Sequence, residues 1–142
     1  MNIRRQCLSL ALLAVAPAAR AAAPALDAAV RAWAGGEAPR DGRVVLEIAP
    51  LVENGNAVPV TVRVASPMTA ADHVTQIALF NERNPQRDVA VFHLGPASGR
   101  AEVATRMRLA TSQRLAALAR MADGSVWRHE VDVIVTLAAC IE

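Results

Sequence analysis

The sequence predicts an all-β protein: an immunoglobulin-like antiparallel β-sandwich of about seven strands, preceded by a short N-terminal helix. Apolar and polar residues alternate along several segments, most clearly in residues 58–64, where every second residue is valine. Turn-forming residues separate these segments at short and even intervals. About 120 residues follow the predicted leader, a length typical of one domain with one core.

The first 21 residues predict a signal peptide. Arg4 and Arg5 supply positive charge, and residues 8–15 are apolar but too few to span a bilayer. Ala19-Arg20-Ala21 then offers a cleavage site, so we expect export to the periplasm. The paired arginines fit a twin-arginine signal as well as an ordinary secretory leader, and the motif alone leaves both open.

The charge balance changes when the leader is removed. The full chain has 15 basic and 13 acidic residues, and loss of Arg4, Arg5 and Arg20 leaves 12 against 13, a net charge of −1. A nucleic-acid site needs a concentrated basic patch, which the mature chain does not offer. No second apolar run is long enough to cross a membrane. We therefore expect neither a nucleic acid nor a membrane as partner.

Residues 22–43 predict a short helix and a polar connector. Gly35-Gly36 ends the helix, since glycine is typical of a helix C-terminus. One apolar stripe with spacing i, i+3, i+4 and i+7 marks the buried face: Leu26, Ala29, Val30 and Trp33.

Residues 44–137 predict the sandwich domain, and residues 138–142 a C-terminal tail. The seven predicted strands cover residues 44–48, 58–64, 74–80, 89–94, 102–109, 114–121 and 126–137. Residues 114–121 also have apolar residues at helical spacing. We favour a strand there because Asp123-Gly124 is a strong hairpin signal before the long last strand.

Cys140, the third residue from the end, is the main candidate for chemistry. The chain has two cysteines, and Cys7 leaves with the leader. A single remaining thiol forms no internal disulfide, although exported proteins normally pair their thiols. We predict that Cys140 is a covalent attachment point. The alternative is a small buried hydrophobic residue.

The last strand predicts which side chains face the core and which face outward. Ile134 falls on the outer face, which suggests that a partner subunit covers it. Glu142 and the terminal carboxylate disfavour a thiolate at Cys140, so partners would have to supply positive charge. The inward positions are predicted to be Val131, Val133, Val135, Leu137 and Ala139.

We predict no catalytic residue, metal site or cofactor. His73, His93 and His129 do not have recognisable metal-binding spacing, and His129 is expected to be half-buried and hydrogen-bonded. Arg106 and Arg108 share one face of a strand, which either meets an anion or is simply solvated.

Several segments resemble SoxY, the sulfur-carrier subunit of the periplasmic thiosulfate-oxidising system. The resemblance covers essentially the whole mature chain, including the early helix and the cysteine near the C-terminus. Its most specific segments are Glu53-Asn54-Gly55 before Val58-Pro59-Val60, then Thr105-Arg106-Met107-Arg108-Leu109-Ala110, and Met121-Ala122-Asp123-Gly124-Ser125-Val126-Trp127.

The resemblance implies a carrier rather than an enzyme, with sulfur intermediates held covalently on Cys140. It implies a heterodimer with a SoxZ-like subunit, exported as a folded pair, which favours the twin-arginine route. It also implies transient contacts with a haem-containing SoxXA-like enzyme that conjugates thiosulfate, a SoxB-like hydrolase that removes sulfate and, in some organisms, a SoxCD-like dehydrogenase.

The tail departs from the family pattern, which is usually Gly-Gly-Cys-Gly-Gly. The corresponding residues here are Ala138, Ala139, Cys140, Ile141 and Glu142. Alanine has less backbone freedom than glycine, and isoleucine is bulky and stiff. The alternative function is therefore a divergent SoxY-like binding module that has lost carrier chemistry.

Overall fold

A computed structural model describes residues 23–139, which form one α-helix and nine β-strands. Helix α1 comes first, and the strands follow in two sheets. The elements are α1 Ala23–Trp33, β1 Arg40–Asp41, β2 Val44–Glu47, β3 Leu51–Val52, β4 Val58–Val64, β5 Val74–Asn81, β6 Asp88–His93, β7 Glu102–Met107, β8 Gln113–Met121 and β9 Val126–Val135. No helix within this range is long and apolar enough to cross a membrane.

The two sheets form the predicted immunoglobulin-like sandwich. The larger has the order β1-β9-β8-β5-β6, with β3 also paired to β9, and the smaller has the order β2-β4-β7. All seven predicted strands are present and their pairings are antiparallel. The two additional strands, β1 and β3, are two residues long and run parallel to β9.

Strand β4 shows how the alternating pattern builds the core. Val58, Val60, Val62 and Val64 are buried, whereas Pro59 and Arg63 between them are exposed. The valines belong to a cluster that also contains Ile77 and Leu79 of β5 and Leu115 of β8. The apolar face of the smaller sheet therefore packs on the larger sheet, as its period of two predicts.

Strand β8 is buried on both faces, which explains why its sequence also suits a helix. Residues 115–119 are all 0% exposed. Leu115 and Ala117 belong to the cluster between the sheets, whereas Ala116 and Leu118 belong to a second cluster with helix α1. A strand covered on both faces loses the apolar–polar alternation. The prediction of a strand here is confirmed.

Helix α1 buries the predicted stripe against the outer face of the larger sheet. Leu26 and Val30 are 1% and 2% exposed, and the Trp33 ring meets Phe80 edge-on with 6.4 Å between centroids. The Arg120 guanidinium stacks on the Trp33 ring at 4.5 Å. The helix is therefore part of the domain and provides a second layer over β5 and β8.

The β8–β9 hairpin turns at Asp123-Gly124, as predicted. Gly124 has a φ of +85°, which favours glycine, and its amide donates to the Met121 carbonyl over 3.0 Å. The hydroxyl and amide of Ser125 donate to the Asp123 carboxylate and hold the pKa of that group below its ordinary value. This turn sets the register of β9 and so the position where β9 ends.

Candidate functional site

The sequence-predicted attachment residue, Cys140, lies outside the described residues, which end at Ala139. The structure does describe the segment that leads to it. The site is therefore built from the end of β9, the residues that bind it, and the loops that support those residues.

The chain after β9 remains hydrogen-bonded to the end of β3 and to the residue that follows it. The Ile134 amide donates to the Pro50 carbonyl over 2.9 Å, within β9. Beyond the end of the strand, the Thr136 amide donates to the Val52 carbonyl over 3.0 Å and the Leu137 amide to the Glu53 carbonyl over 3.2 Å. Residues 50–53 thus hold the chain for two residues past the last strand.

Gly55 and Leu109 continue this binding up to Ala139. The Gly55 amide donates to the Leu137 carbonyl over 2.8 Å, and the Gly55 carbonyl accepts from the Leu109 amide over 2.8 Å. The Leu109 carbonyl in turn accepts from the Ala139 amide over 3.1 Å. We call Gly55, Leu109, Leu137 and Ala139 the tail anchor. It ends one residue before Cys140.

The tail anchor corrects one prediction about side-chain direction. The strand pattern predicts that Leu137 faces inward, but it is 60% exposed, whereas Ala139 is 8% exposed, as predicted. Strand β9 ends at Val135, and the chain bends at residues 136–137. The alternation of side chains along a strand no longer applies after the bend. The backbone bonds of the tail anchor instead decide that Ala139 is covered and Leu137 is not.

A polar network centred on Asn84 holds the residues next to Leu109. The Asn84 side chain accepts from the Ala110 amide over 3.0 Å and from the Gln113 amide group over 2.8 Å, and donates to the Arg108 carbonyl over 2.8 Å. These bonds hold the residues on both sides of Leu109. Gln113 is 5% exposed, and its side-chain oxygen accepts from the Arg83 amide over 2.9 Å.

Asn81 orders the loop that presents Asn84. Its side chain is fully buried, donates to the Gln86 and Arg87 carbonyls, and accepts from the Asn84 amide over 2.9 Å. A buried amide satisfied in this way fixes a loop, because each lost partner leaves a polar group unpaired. The 81–87 loop, the 108–113 segment and the tail anchor therefore form one hydrogen-bonded chain.

Arg106 and Arg108 lie on the segment that binds the tail. Both side chains are exposed, and they line an open cleft of about 480 Å³ together with residues of the 84–88 loop. Their nearness to the tail could not be predicted from the sequence, since the last basic residue before Cys140 in the chain is Arg128. The fold thus places arginines from β7 and the residues after it beside the residues that hold Ala139.

Each of the three histidines forms a hydrogen bond with a neighbouring group of the fold. His129 is half-buried and its Nδ1 accepts from the Leu46 amide over 2.9 Å, which confirms the predicted hydrogen-bonded ring. His73 bonds to the Thr69 carbonyl, and His93 to Gln76. Within residues 23–139 there is no cluster of three or more side chains of the types that bind metals.

Three exposed apolar side chains lie along the edge of the sheet near the tail. Leu51 and Ile134 are partners in the β3–β9 register and are 56% and 60% exposed. Leu137, also 60% exposed, follows on the same bound segment. We call Leu51, Ile134 and Leu137 the apolar edge. Ile134 therefore faces outward, as predicted.

Comparison with known protein families gives one match. Residues 30–140 match the family model described as "Sulfur oxidation protein SoxY". The chain is also similar to the solved structure of the sulfur carrier protein SoxY from Chlorobium limicola f thiosulfatophilum. The TM-score is 0.66 and the identity 30%, over 80% of this chain and 94% of that chain. No curated protein matches the sequence.

Superoxide reductases are similar in fold. The neelaredoxin from Ignicoccus hospitalis is 20% identical, with a TM-score of 0.59 over 66% of this chain and 80% of that chain. The enzyme from Nanoarchaeum equitans is 13% identical, with a TM-score of 0.57 over 68% of this chain and 100% of that chain. At these identities the likeness concerns the sandwich alone.

Proposed function

The chain belongs to the SoxY family, with a role as a carrier in sulfur oxidation, and on that premise we propose that it is a periplasmic protein that holds sulfur intermediates covalently on Cys140. One observation carries the proposal. The family match extends to residue 140, the cysteine that remains once the predicted leader is removed. The tail anchor supports it, because it secures the chain up to the residue before that cysteine.

Loading of thiosulfate is an oxidation of two sulfur atoms. The Cys140 thiolate and the outer sulfur of thiosulfate form a new S–S bond, and two electrons leave one at a time through the haem of a SoxXA-like partner to an external electron acceptor. The product is a cysteine S-thiosulfonate. The thiolate is the reacting form of a cysteine, and the nearby negative charge of Glu142 opposes its formation. A basic surface on the partner enzyme would offset that opposition.

The second step is a hydrolysis that needs no oxidant. Water attacks the terminal sulfonate sulfur in a SoxB-like enzyme, the S–S bond to it breaks, and sulfate leaves. The pair of electrons of that bond remains on the inner sulfur, so that Cys140 keeps a persulfide. A SoxCD-like dehydrogenase could then oxidise this sulfur. The carrier itself supplies the thiol and its position, and the partners supply the catalysis.

Mass spectrometry of the loaded protein tests this function. The full chain is incubated with thiosulfate, its cognate haem enzyme and an oxidised electron acceptor, and is then digested with trypsin in the absence of thiol reductants. No arginine follows Arg128 and the chain has no lysine, so residues 129–142 form one peptide in which Cys140 is the only thiol. We expect this peptide to gain one thiosulfate group, and the Cys140→Ser peptide to gain nothing. An unmodified peptide from the parent chain, with an enzyme that loads a standard carrier, would contradict the proposal.

We also propose that a SoxZ-like subunit binds the apolar edge. Exposed apolar side chains that cluster on a sheet edge are typical of protein–protein contacts, since burying them releases bound water. The β3 and β9 backbones continue along this edge to the tail anchor. A partner seated there would be close to the tail of the carrier.

Replacing Ile134 with glutamate should break this contact. A charge at the centre of an apolar interface is left buried without a counter-charge, so we expect the dissociation constant for the SoxZ-like subunit to rise by at least about 30-fold. Calorimetric titration measures the change. Val91 is also a branched, exposed residue, at 42%, but it lies on β6 at the other end of the larger sheet. Val91→Glu should bind normally, and an equal loss in both variants would argue against the apolar edge.

A further inference from the structure

Gly55 occupies a point where the structure has no room for a side chain. It is buried within the tail anchor, and a Cβ built on it would lie 2.4 Å from the Leu109 carbonyl oxygen and 3.0 Å from the Ala139 nitrogen. It would also lie 3.3 Å from a Val135 methyl group. The two closest atoms are the acceptor and the donor of the hydrogen bond that holds Ala139. Any side chain at position 55 therefore acts directly on that bond.

The requirement for glycine here is steric. Five other glycines of the described chain have positive φ values, but Gly55 does not. An alanine could therefore adopt its backbone conformation without torsional strain. Backbone atoms do not move aside as the end of a flexible side chain does, so the Cβ would force Leu109 and Ala139 apart. The expected effect of Gly55→Ala is consequently local.

The anchor limits how far the thiol can be from the sandwich. Ala139 is hydrogen-bonded and 8% exposed, and the Cα of Cys140 must lie about 3.8 Å from the Cα of Ala139. A tail released from Leu109 would instead move as a segment that starts after Leu137, whose amide stays bonded to the Glu53 carbonyl.

We propose that Gly55 is a positioning residue of the carrier: through the hydrogen bond between Leu109 and Ala139, it fixes the place from which Cys140 is presented to partner enzymes. The proposal rests on the proposed function, since it concerns the loading of the same thiol. It specifies that the enzymes receive Cys140 from a segment that is held up to Ala139, and that they do not capture it from a long unattached arm.

The test compares Gly55→Ala with Gly95→Ala in the full chain. Gly95 is a matched control, because a Cβ there meets nothing within 4 Å and its φ is an ordinary −155°. Two quantities are measured: hydrogen exchange of single amides by NMR, and the kcat/KM with which the haem enzyme loads thiosulfate. In the parent protein the Ala139 amide should exchange at least about a hundredfold more slowly than in an unstructured peptide.

In Gly55→Ala we expect this protection to fall by at least about tenfold, and kcat/KM for loading to fall by about tenfold to a hundredfold. The Leu118 amide, in the fully buried centre of β8, should stay protected, which separates a misplaced tail from an unfolded domain. Gly95→Ala should match the parent in exchange at Ala139, in exchange at Leu118 and in kcat/KM.

A second variant covers the case in which Gly55→Ala does not fold. Ala139→Pro removes the amide that donates to Leu109 and leaves Gly55 unchanged. It should lower loading to a similar extent. Rapid exchange at Ala139 in the parent protein, or normal loading by either folded variant, would overturn the proposal. If the parent itself is not loaded at Cys140, the carrier function fails instead, and the exchange data still decide whether the anchor exists.

Discussion

Replacing Cys140 with serine is expected to abolish growth of the source organism on thiosulfate as the sole electron donor. Serine keeps the size of the residue but replaces sulfur with a hydroxyl, which forms no stable bond to the sulfur of thiosulfate. The other cysteine of the chain, Cys7, lies in the predicted leader, so we expect no second thiol to take over. The measurement is the growth yield of a strain that carries the variant in place of the original gene.

The same variant separates the carrier from the alternative function, a SoxY-like binding module without carrier chemistry. A pure binding module needs its surface and not its thiol, so it predicts unchanged growth and unchanged affinity for the SoxZ-like subunit. The carrier predicts lost growth with unchanged affinity. Ser98→Ala, a change in an exposed turn on another part of the molecule, is a control for the genetic replacement itself. Normal growth of the Cys140→Ser strain would rule out the carrier function on thiosulfate.

The seven main strands could be predicted because the burial of their faces leaves a pattern of apolar and polar residues in the sequence. In β4 one face packs on the core and the other meets solvent, so the period of two is visible in the sequence. In β8 both faces are covered, and the pattern alone is ambiguous. The hairpin signal at Asp123-Gly124 resolves it, because a tight turn before β9 requires a strand on its other side.

The parts that escaped prediction depend on contacts between distant segments. Strands β1 and β3 have two residues each, too few for a period, and exist because β9 pairs with them. Leu137 follows the last paired residue of β9, so its direction is not set by strand alternation. The tail anchor joins residues 55, 109 and 139, which share no local motif.

Gly55 nevertheless leaves a signal in the sequence. It lies in a cluster of turn-forming residues and in the Glu53-Asn54-Gly55 segment that carries the family resemblance. A turn, however, would explain glycine only by the conformation of the local backbone. The structure shows that glycine is required because the backbones of Leu109 and Ala139 leave no room for a Cβ at position 55. The tail also departs from Gly-Gly-Cys-Gly-Gly, and at position 139 the structure shows why an alanine fits there. The buried Ala139 is held through its backbone, and its methyl group is accommodated.

The polar network next to the tail anchor gives the second large expectation: Asn84→Ala should lower the free energy of unfolding by about 1–3 kcal/mol. The substitution removes three side-chain hydrogen bonds at once, to Arg108, Ala110 and Gln113. The Ala110 amide is left partly buried without its protein partner, which costs about 1–3 kcal/mol. The Arg108 carbonyl is exposed, and the Gln113 side chain keeps its bond to the Thr111 carbonyl, so these two losses add little. Urea unfolding at an unchanged m-value measures the loss.

Asn56→Ala is the matched control, because Asn56 is exposed and lies in the turn after Gly55. An exposed surface position should change stability by no more than about 0.5 kcal/mol. The Asn84 variant should also speed hydrogen exchange at Ala139, since Leu109 lies between the two residues that Asn84 holds. A stability loss with unchanged exchange at Ala139 would show that the 81–87 loop and the tail are independent. Loss of both would show that the network which stabilises the domain also holds the segment that presents Cys140.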